Sequence, residues 1–524
     1  MGYSERYGNI IKEKIKPQHA AAFFGALITG IICHMPAMVK FLPVYDSFWN
    51  IYSSQDMISS GRPFLTYACG ITSYYNLPWI NGIVGVFYIA LAAVLIADLY
   101  EIKNMFAAVA LGGILAAFPA VTGTFAFGYT LDGYMLAFLL STLAVYLTHK
   151  YKWGFIPGIF AMGFATGIYQ SYFFTGALLA ITVCMLALSE GKEWKKVLSS
   201  AWRYAAMGLG GYVFYLIALK IMLAVKQVTL SGYQGTDKVL GLSFSTIIPG
   251  LKAAFTDFRE FTFAGGIFTE NIFMKIAYTA FLSVALLGFG WQIYRNKVYK
   301  KPVNLLLIVL CAVLVPFTAS GVKIMSQDSL FHILMRMPWA VLFATGIALF
   351  DRLTLSGELK KQKEEGMEVM LVLFKVMGFV MAFCMIFHFI LAANVVYFNL
   401  NERYEKTYAL ALRIADRLEQ TEGYRQGDEV AILGGFPNTL NYPTTDITGK
   451  VTGGYHETSG DIAVESSEKY AEFMKHFLNV TIVVPDFEKQ IEIGGTEEFL
   501  EMPCFPEKGS IRQIDGVWII KING

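Results

Sequence analysis

The amino-acid sequence predicts an α-helical polytopic membrane protein with about eleven transmembrane helices and a small α/β domain at the C-terminus. Its 524 residues are 55% hydrophobic and 16% charged, with a mean hydropathy of +0.49. The apolar residues form unbroken runs of about 20, the length that a helix needs to cross a bilayer. Because these runs lack the alternation of a transmembrane strand, we predict helices and not a β-barrel.

The predicted spans and the basic clusters between them define one orientation. Short loops that are rich in Lys and Arg stay on the cytoplasmic side, and every cluster lies on one side if the N-terminus is inside. An odd number of spans then places the C-terminus outside the bacterial cytoplasmic (inner) membrane. This orientation requires residues 154–189 to form two helices joined by a tight turn near Thr166–Ser171. The predicted spans are residues 20–40, 79–97, 105–121, 131–148, 154–170, 171–189, 204–225, 272–294, 303–320, 332–350 and 368–398. The basic clusters are Lys12, Lys14 and Lys16; Lys150 and Lys152; Lys192, Lys195, Lys196 and Arg203; Arg295, Lys297, Lys300 and Lys301; and Arg352, Lys360, Lys361 and Lys363.

Two domains are predicted. Residues 1–398 form the membrane domain, and residues 399–524 form an extracytoplasmic α/β domain that begins with a polar helix continuing the last span. Asp515-Gly516 is a hairpin signal, because both residues tolerate positive φ. Residues 244–261 are amphipathic and too interrupted to span, so we expect them to lie in the membrane interface. The predicted strands are residues 429–434, 480–484 and 517–522.

Charge and motifs argue against several functional classes. The formal net charge is +2, and no basic cluster with interleaved aromatic residues lies outside the spans, so a nucleic-acid partner is not expected. The sequence has no P-loop, no glycine-rich dinucleotide motif and no cluster with metal-ligand spacing, so we expect neither a cofactor nor a metal. Of the six cysteines, Cys69 and Cys504 are expected to face outward.

The loop after the first span carries the densest set of polar residues: Tyr45, Asp46, Trp49, Asp56 and Arg62. A carboxylate at the membrane surface can act as a general base on a sugar hydroxyl. An arginine beside it can bind a phosphate through two hydrogen bonds. The alternative for any one aspartate is a loop that is merely solvated.

Further candidate residues lie at the outer ends of later spans. Asp132 begins the fourth span, where it either stabilises the helix dipole or faces Asp46 across a shared cavity. Tyr169 and Gln170 lie in the predicted tight turn, where the aromatic ring belongs either to the interfacial belt or to a sugar site. His332 and Arg336 lie at the tenth span; Arg336 either binds a lipid phosphate or snorkels to the interface.

These residues lie in motifs that resemble those of the bacterial GtrII-type glucosyltransferases, which modify O-antigen and related surface glycans. The resemblance covers most of the chain. The similar segments are Asp46 with SSGRPF (Ser59–Phe64), ITSYYNLPWING (Ile71–Gly82), FAFGYTLDGYMLA (Phe125–Ala137), GIYQSYF (Gly167–Phe173) and the closing MPCFPEKGSIRQIDGVWIIKI (Met502–Ile522).

The resemblance implies a GT-C type fold that acts at the outer leaflet on a polyprenyl-phosphate-linked sugar, typically glucose, and transfers it to a surface glycan acceptor. It implies Asp46 as the catalytic base, Asp56 as a less favoured substitute and Asp132 as a supporting carboxylate. Arg62 and Arg336 would hold the donor phosphate in a single inverting displacement. Tyr45, Trp49, Tyr169, Gln170 and His332 are the candidates for sugar and acceptor binding.

The sequence leaves two other functions open. A transporter or flippase of lipid-linked glycans would place its polar groups near the bilayer midplane and often carries paired repeats. A glycan polymerase or ligase usually concentrates its functional residues in a large loop between late spans. In this sequence the polar residues gather in the first outer loop instead, which favours the transferase.

Overall fold

A computed structural model of the chain describes residues 16–70, 75–231, 244–263, 272–326, 331–353, 365–434 and 463–522. Within these residues, nine helices are long and apolar enough to cross a membrane. The chain is therefore a mostly helical, multi-pass membrane protein. The helices of eight or more residues up to the C-terminal unit are α1 (Pro17–Val39), α2 (Pro78–Leu99), α3 (Met105–Ala117), α4 (Pro119–Ala126), α5 (Leu131–Lys150), α6 (Phe155–Ile168), α7 (Ser171–Ser189), α8 (Trp194–Lys226), α9 (Phe244–Phe263), α10 (Ile272–Arg295), α11 (Pro302–Ala319), α12 (Met337–Asp351) and α13 (Glu365–Glu419).

Two further apolar helices, α6 and α12, are shorter and lie where the sequence predicts the fifth and tenth spans. The count of eleven spans therefore stays a prediction. Helix α6 ends at Ile168 and α7 begins at Ser171, so the connection is only Tyr169 and Gln170. The predicted tight turn within residues 154–189 is confirmed.

Helix α3 lies at the centre of the bundle, and its close contact with α1 depends on glycine. A Cβ atom on Gly112 would lie 2.3 Å from the carbonyl oxygen of Ala22, and one on Gly25 would lie 2.8 Å from that of Val109. Small residues let two helix backbones approach this closely, which is how membrane helices gain packing energy in lipid. By contrast, α8 and α11 are largely exposed, as expected for helices that face lipid.

Members of the predicted basic clusters meet at one end of the bundle, which we call the basic face. Asp98 accepts hydrogen bonds from Lys16 and Lys150 at 3.3 and 2.8 Å. Glu190 pairs with Arg352 at 2.8 Å. The start of α1 and the ends of α5, α7 and α12 therefore lie at the same end, in the order that the predicted spans require. The other end, the loop face, carries the loop between α1 and α2.

The C-terminal unit, residues 399–434 and 463–522, begins as a direct continuation of the last membrane helix. Helix α13 has 55 residues, a length of about 80 Å, and runs through the predicted domain boundary at residue 398 without a break. The remaining elements of the unit are β1 (Val430–Leu433), α14 (Ser467–Leu478), α15 (Phe487–Gly494), α16 (Glu497–Glu501), β2 (Ile511–Ile514) and β3 (Val517–Lys521).

The strands of this unit form a three-stranded sheet in the order β1-β3-β2, with β1 parallel and β2 antiparallel to β3. Asp515 and Gly516 connect β2 to β3 with φ values of 47° and 79°, which confirms the predicted hairpin turn. The predicted strand at residues 480–484 is wrong: of these residues, all of them described, Val483 alone makes an isolated bridge, to Glu429. Pro485 follows directly and has no N–H group to extend a ladder.

Candidate active site

The loop between α1 and α2 folds back onto the bundle instead of extending into solvent. It contains short 3₁₀ turns at Ser47–Asn50 and Ile58–Ser60 and a one-turn helix at Leu65–Ala68. The side chains of Phe48 and Leu65 are buried. The loop is therefore a packed layer on the loop face, able to hold polar side chains in fixed positions.

Asp46 directly precedes the first of these turns and is half-buried. Its backbone carbonyl accepts a hydrogen bond of 2.8 Å from the side-chain amide of Asn50. Burial raises the pKa of the Asp46 carboxyl, the nearby Lys469 ammonium opposes this, and Glu465 adds to the increase. A carboxylate whose pKa is raised toward the working pH is a better general base than a fully solvated one.

Arg62 lies in a second part of the loop that several hydrogen bonds hold to the bundle. Gly61 adopts a left-handed conformation with φ of 73°, which favours glycine. Its carbonyl accepts hydrogen bonds from Gln170 at 2.8 Å and from the Tyr215 hydroxyl at 3.0 Å. Phe64 donates its backbone N–H to the carbonyl at position 167, beside the tight turn. These contacts fix the backbone on both sides of Arg62.

The guanidinium of Arg62 contacts two tyrosines at the start of α5 and in the tight turn. It donates a hydrogen bond of 3.0 Å to the Tyr134 hydroxyl and lies 4.8 Å from the centre of the Tyr169 ring. The rings of Tyr134 and Tyr169 are stacked with centroids 4.4 Å apart. Tyr169 is thus covered by Tyr134 and Arg62.

Tyr129 connects the two functional parts of the loop. It is buried in the 3₁₀ turn between α4 and α5, which Asn81 holds by a hydrogen bond of 2.7 Å to the carbonyl of Gly128. Both Asp46 and Arg62 interact electrostatically with the Tyr129 hydroxyl. The turn that follows Asp46 also contacts the turn that holds Tyr129. The charges of Asp46 and Arg62 therefore act on one buried side chain.

Asp132 lies on the first turn of α5 and is 2% exposed. The thiol of Cys69 is hydrogen-bonded to the Asp132 carboxylate. The expectation that Cys69 faces outward is wrong, because the short helix Leu65–Ala68 packs against α5 and the residue that follows it is completely buried. Burial, together with the charge of Asp132, raises the pKa of the Cys69 thiol.

Asp56 lies elsewhere on the loop, paired with Lys226 at the end of α8. The two charged groups are 2.9 Å apart and partly exposed. An exposed pair of this kind contributes little to stability, but the ammonium occupies one oxygen of the carboxylate. Asp56 is thus less available as a base than Asp46.

Arg336 belongs to a separate polar site where α9 meets α12. It makes two hydrogen bonds with Asp257, at 3.0 and 2.8 Å. Asp257 also accepts a bond of 2.7 Å from the Ser320 hydroxyl. The guanidinium carbon lies 3.9 Å from the centre of the Phe261 ring. His332 is half-buried and directly precedes the 3₁₀ turn that leads to Arg336.

The C-terminal unit covers the loop that carries Asp46. Phe48 packs against Phe473 with ring centroids 5.3 Å apart, within one hydrophobic core. The ammonium of Lys469 lies 4.3 Å from the ring centre of Tyr45 and 5.3 Å from that of Trp49. The first loop and the last unit of the chain thus form a single structural layer on the loop face.

The structure brings together some of the sequence-predicted residues and separates others. Asp46, Tyr45, Trp49 and Arg62 share the loop face. Tyr129 and Tyr134 were not predicted as site residues, although both belong to the motif FAFGYTLDGYMLA, which contains Asp132. Asp257 and Lys469 were not predicted either, because their roles depend on contacts between distant parts of the chain.

Comparisons with known proteins identify the chain's family. No curated protein and no solved structure matches the chain. A family model described as glucosyl transferase GtrII matches residues 35–345, which include the first loop, α5, the tight turn and Arg336. The match ends before the C-terminal unit. The chain therefore belongs to the GtrII glucosyl transferase family and is a multi-pass membrane glycosyltransferase.

Proposed function

We propose that this enzyme transfers a sugar, glucose by its family, from a polyprenyl-phosphate donor to a surface glycan at the outer face of the bacterial cytoplasmic membrane. The observation that carries this proposal is that Asp46 and Arg62 lie on one packed loop of the loop face, where the turn after Asp46 contacts the turn of Tyr129 and both charges act on that side chain. A general base and a phosphate-binding cation in one site are what such a transfer requires. The proposal includes a GT-C type architecture.

The orientation follows from the distribution of charge. Lys16, Lys150 and Arg352 lie on the basic face, and positively charged loops are retained on the cytoplasmic side. The loop face would then lie outside, with the C-terminal unit. A lipid-linked donor in the outer leaflet reaches that face without crossing water.

In the proposed reaction, Asp46 takes the proton of an acceptor hydroxyl as the oxygen forms a bond to the anomeric carbon. The bond from that carbon to the phosphate oxygen breaks, and the electron pair leaves with polyprenyl phosphate. The displacement is single and inverting. Asp132 would support Asp46 from the start of α5, and Asp56 would be the base only after losing its ion pair with Lys226.

Arg62 is proposed to stabilise the negative charge that develops on the leaving phosphate. Arg336 is proposed as the second phosphate-binding residue. Because Asp257 already offsets the charge of Arg336, a phosphate there must share or displace that carboxylate. Binding at Arg336 would therefore be coupled to the position of α9.

The remaining candidates would act on the sugar or the acceptor, some by direct contact and some through Arg62. Trp49 is 52% exposed, so its ring is available to stack on a sugar. Tyr45 lies beside it. Tyr169 and Gln170 would act indirectly, since they hold Arg62 and its loop. His332 is proposed to contact the acceptor near Arg336.

A panel of donors tests the class of substrate. Purified enzyme in liposomes would be incubated with an acceptor glycan and, separately, with polyprenyl-phosphate sugars or nucleotide sugars. We expect release of polyprenyl phosphate and labelled glycan from the lipid-linked glucose donor alone. Turnover with a nucleotide sugar in the absence of lipid donor would refute the proposal. Movement of the lipid-linked sugar across the bilayer without a covalent product would indicate a flippase.

A further inference from the structure

Lys469 is an unusual residue for the C-terminal unit, because it is a lysine that is 7% exposed. Burial of an ammonium group is costly unless other groups compensate its charge. Its carboxylate partner on the same segment, Glu465, is 3.9 Å away and mostly exposed. A pair of this length and exposure contributes little. The compensation must come largely from the other groups that surround the ammonium.

Those other groups belong to the first loop, at the opposite end of the chain. The ammonium lies against the rings of Tyr45, which precedes Asp46, and of Trp49, which lies within the 3₁₀ turn that follows Asp46. Aromatic faces attract a cation through the quadrupole of the ring, and the attraction is stronger where water is excluded. The positive charge of Lys469 also acts on the Asp46 carboxylate. The buried ammonium therefore lies close enough to the candidate base for its charge to act on the carboxylate.

The rest of the interface keeps Lys469 in this position. Phe48 packs on both Phe473 and Phe477, one and two turns further along α14. Ser466 caps α14 by accepting a hydrogen bond from the backbone N–H of Lys469. The helix that presents the ammonium is thus fixed to the loop that presents the carboxylate.

We propose that Lys469 is a positioning residue of the active site, supplied by the C-terminal unit, which holds the loop that carries Asp46 through Tyr45 and Trp49 and places a positive charge near that carboxylate. The inference rests on the proposed function of Asp46 and deepens it. It gives the C-terminal unit a role in catalysis, because the carboxylate of Asp46 has its working position and its neighbouring positive charge only when α14 is docked on the first loop.

The proposal has a direct consequence for titration. The charges that act on Asp46 come from Lys469 and Glu465 of the C-terminal unit, and Asp46 in turn acts on Tyr129 in the turn before α5. The ammonium lowers the pKa of Asp46, whereas burial and Glu465 raise it. Removal of the ammonium should therefore raise the pKa of Asp46, so that the carboxyl loses its proton only at higher pH.

The test measures Asp46 itself in the full-length enzyme. Carbodiimide activates a protonated carboxyl group, an added amine captures it, and mass spectrometry of the Asp46 peptide gives the midpoint of modification against pH. We expect a higher midpoint in Lys469→Gln than in the wild type, and a midpoint near the wild-type value in Lys469→Arg. Lys475→Gln is the matched control, since this lysine lies on the same helix and is exposed.

An unchanged midpoint in Lys469→Gln would overturn the proposal, as would equal shifts in Lys469→Gln and Lys475→Gln. The transfer assay forms a second arm: the acid limb of the rate against pH should move to higher pH in Lys469→Gln and return in Lys469→Arg. Because the modification assay needs no turnover, it decides the role of Lys469 even if the lipid-linked donor proves to be wrong. Only the transfer arm depends on the proposed function.

Discussion

Asp257→Ala is expected to destabilise the enzyme by about 3–5 kcal/mol, because it leaves Arg336 as a buried cation without its carboxylate partner. The side chains of the pair are only 10% and 14% exposed. Two hydrogen bonds, at 3.0 and 2.8 Å, join them, and a hydrogen bond to a charged group is worth about 1.5–3 kcal/mol. Arg336→Lys, which retains the charge but not the bidentate geometry, should therefore cost about 1.5–3 kcal/mol.

The free energy of unfolding would be measured by titrating purified protein in mixed micelles with SDS, with tryptophan fluorescence as the signal. Arg259→Ala is the matched control on the same helix, because this side chain is exposed and its contact with Glu260 is 3.8 Å long. We expect a change below about 0.5 kcal/mol for that control. The double variant Asp257→Ala/Arg336→Met should be less destabilised than the sum of the single variants. Additive effects, or an unchanged stability in Asp257→Ala, would refute the reasoning.

Three other predictions concern the loop face. Gln170→Leu should lower kcat/KM about tenfold without lowering the amount of folded protein, because a small displacement of the loop that positions Arg62 is costly; wild-type kinetics would contradict this. Phe48→Ala should lower the free energy of unfolding by about 3–5 kcal/mol. It should also increase protease cleavage within the first loop and within the C-terminal unit, and an unchanged cleavage pattern would exclude a core that the two share. A membrane-impermeant maleimide should label Cys504 but not the buried Cys69 in spheroplasts; labelling of Cys69 alone would contradict both its burial and the proposed orientation.

The sequence predicts the membrane-spanning character and several local features well, since these depend on short-range patterns. The tight turn at Tyr169 and Gln170 follows from the alternation of basic loops, and the Asp515-Gly516 hairpin follows from its two residues that tolerate positive φ. The polar helix after residue 398 is likewise confirmed as the end of α13. Apolar run length, charge and turn chemistry are sufficient for these features.

The organisation of the candidate site could not be predicted in the same way. The pair of Asp257 and Arg336 joins two helices whose relative position depends on the packing of the whole bundle. Lys469 reaches Tyr45 and Asp46 from the other end of the chain, and no local pattern indicates such a contact. A loop of polar residues also gave no sign that it would fold back and bury Cys69.

The central claim is that Asp46 acts as the base in transfer from a lipid-linked donor, and the most direct test compares Asp46→Asn with Asp56→Asn in liposomes that contain labelled polyprenyl-phosphate glucose and acceptor glycan. Loss of a general base should lower the rate of transfer about 10²–10⁴-fold in Asp46→Asn, at equal amounts of folded protein. Asp56→Asn should lose less than about tenfold, because that carboxylate is paired with Lys226 in an exposed position. A wild-type rate in Asp46→Asn, or the larger loss in Asp56→Asn, would contradict the assignment of the base.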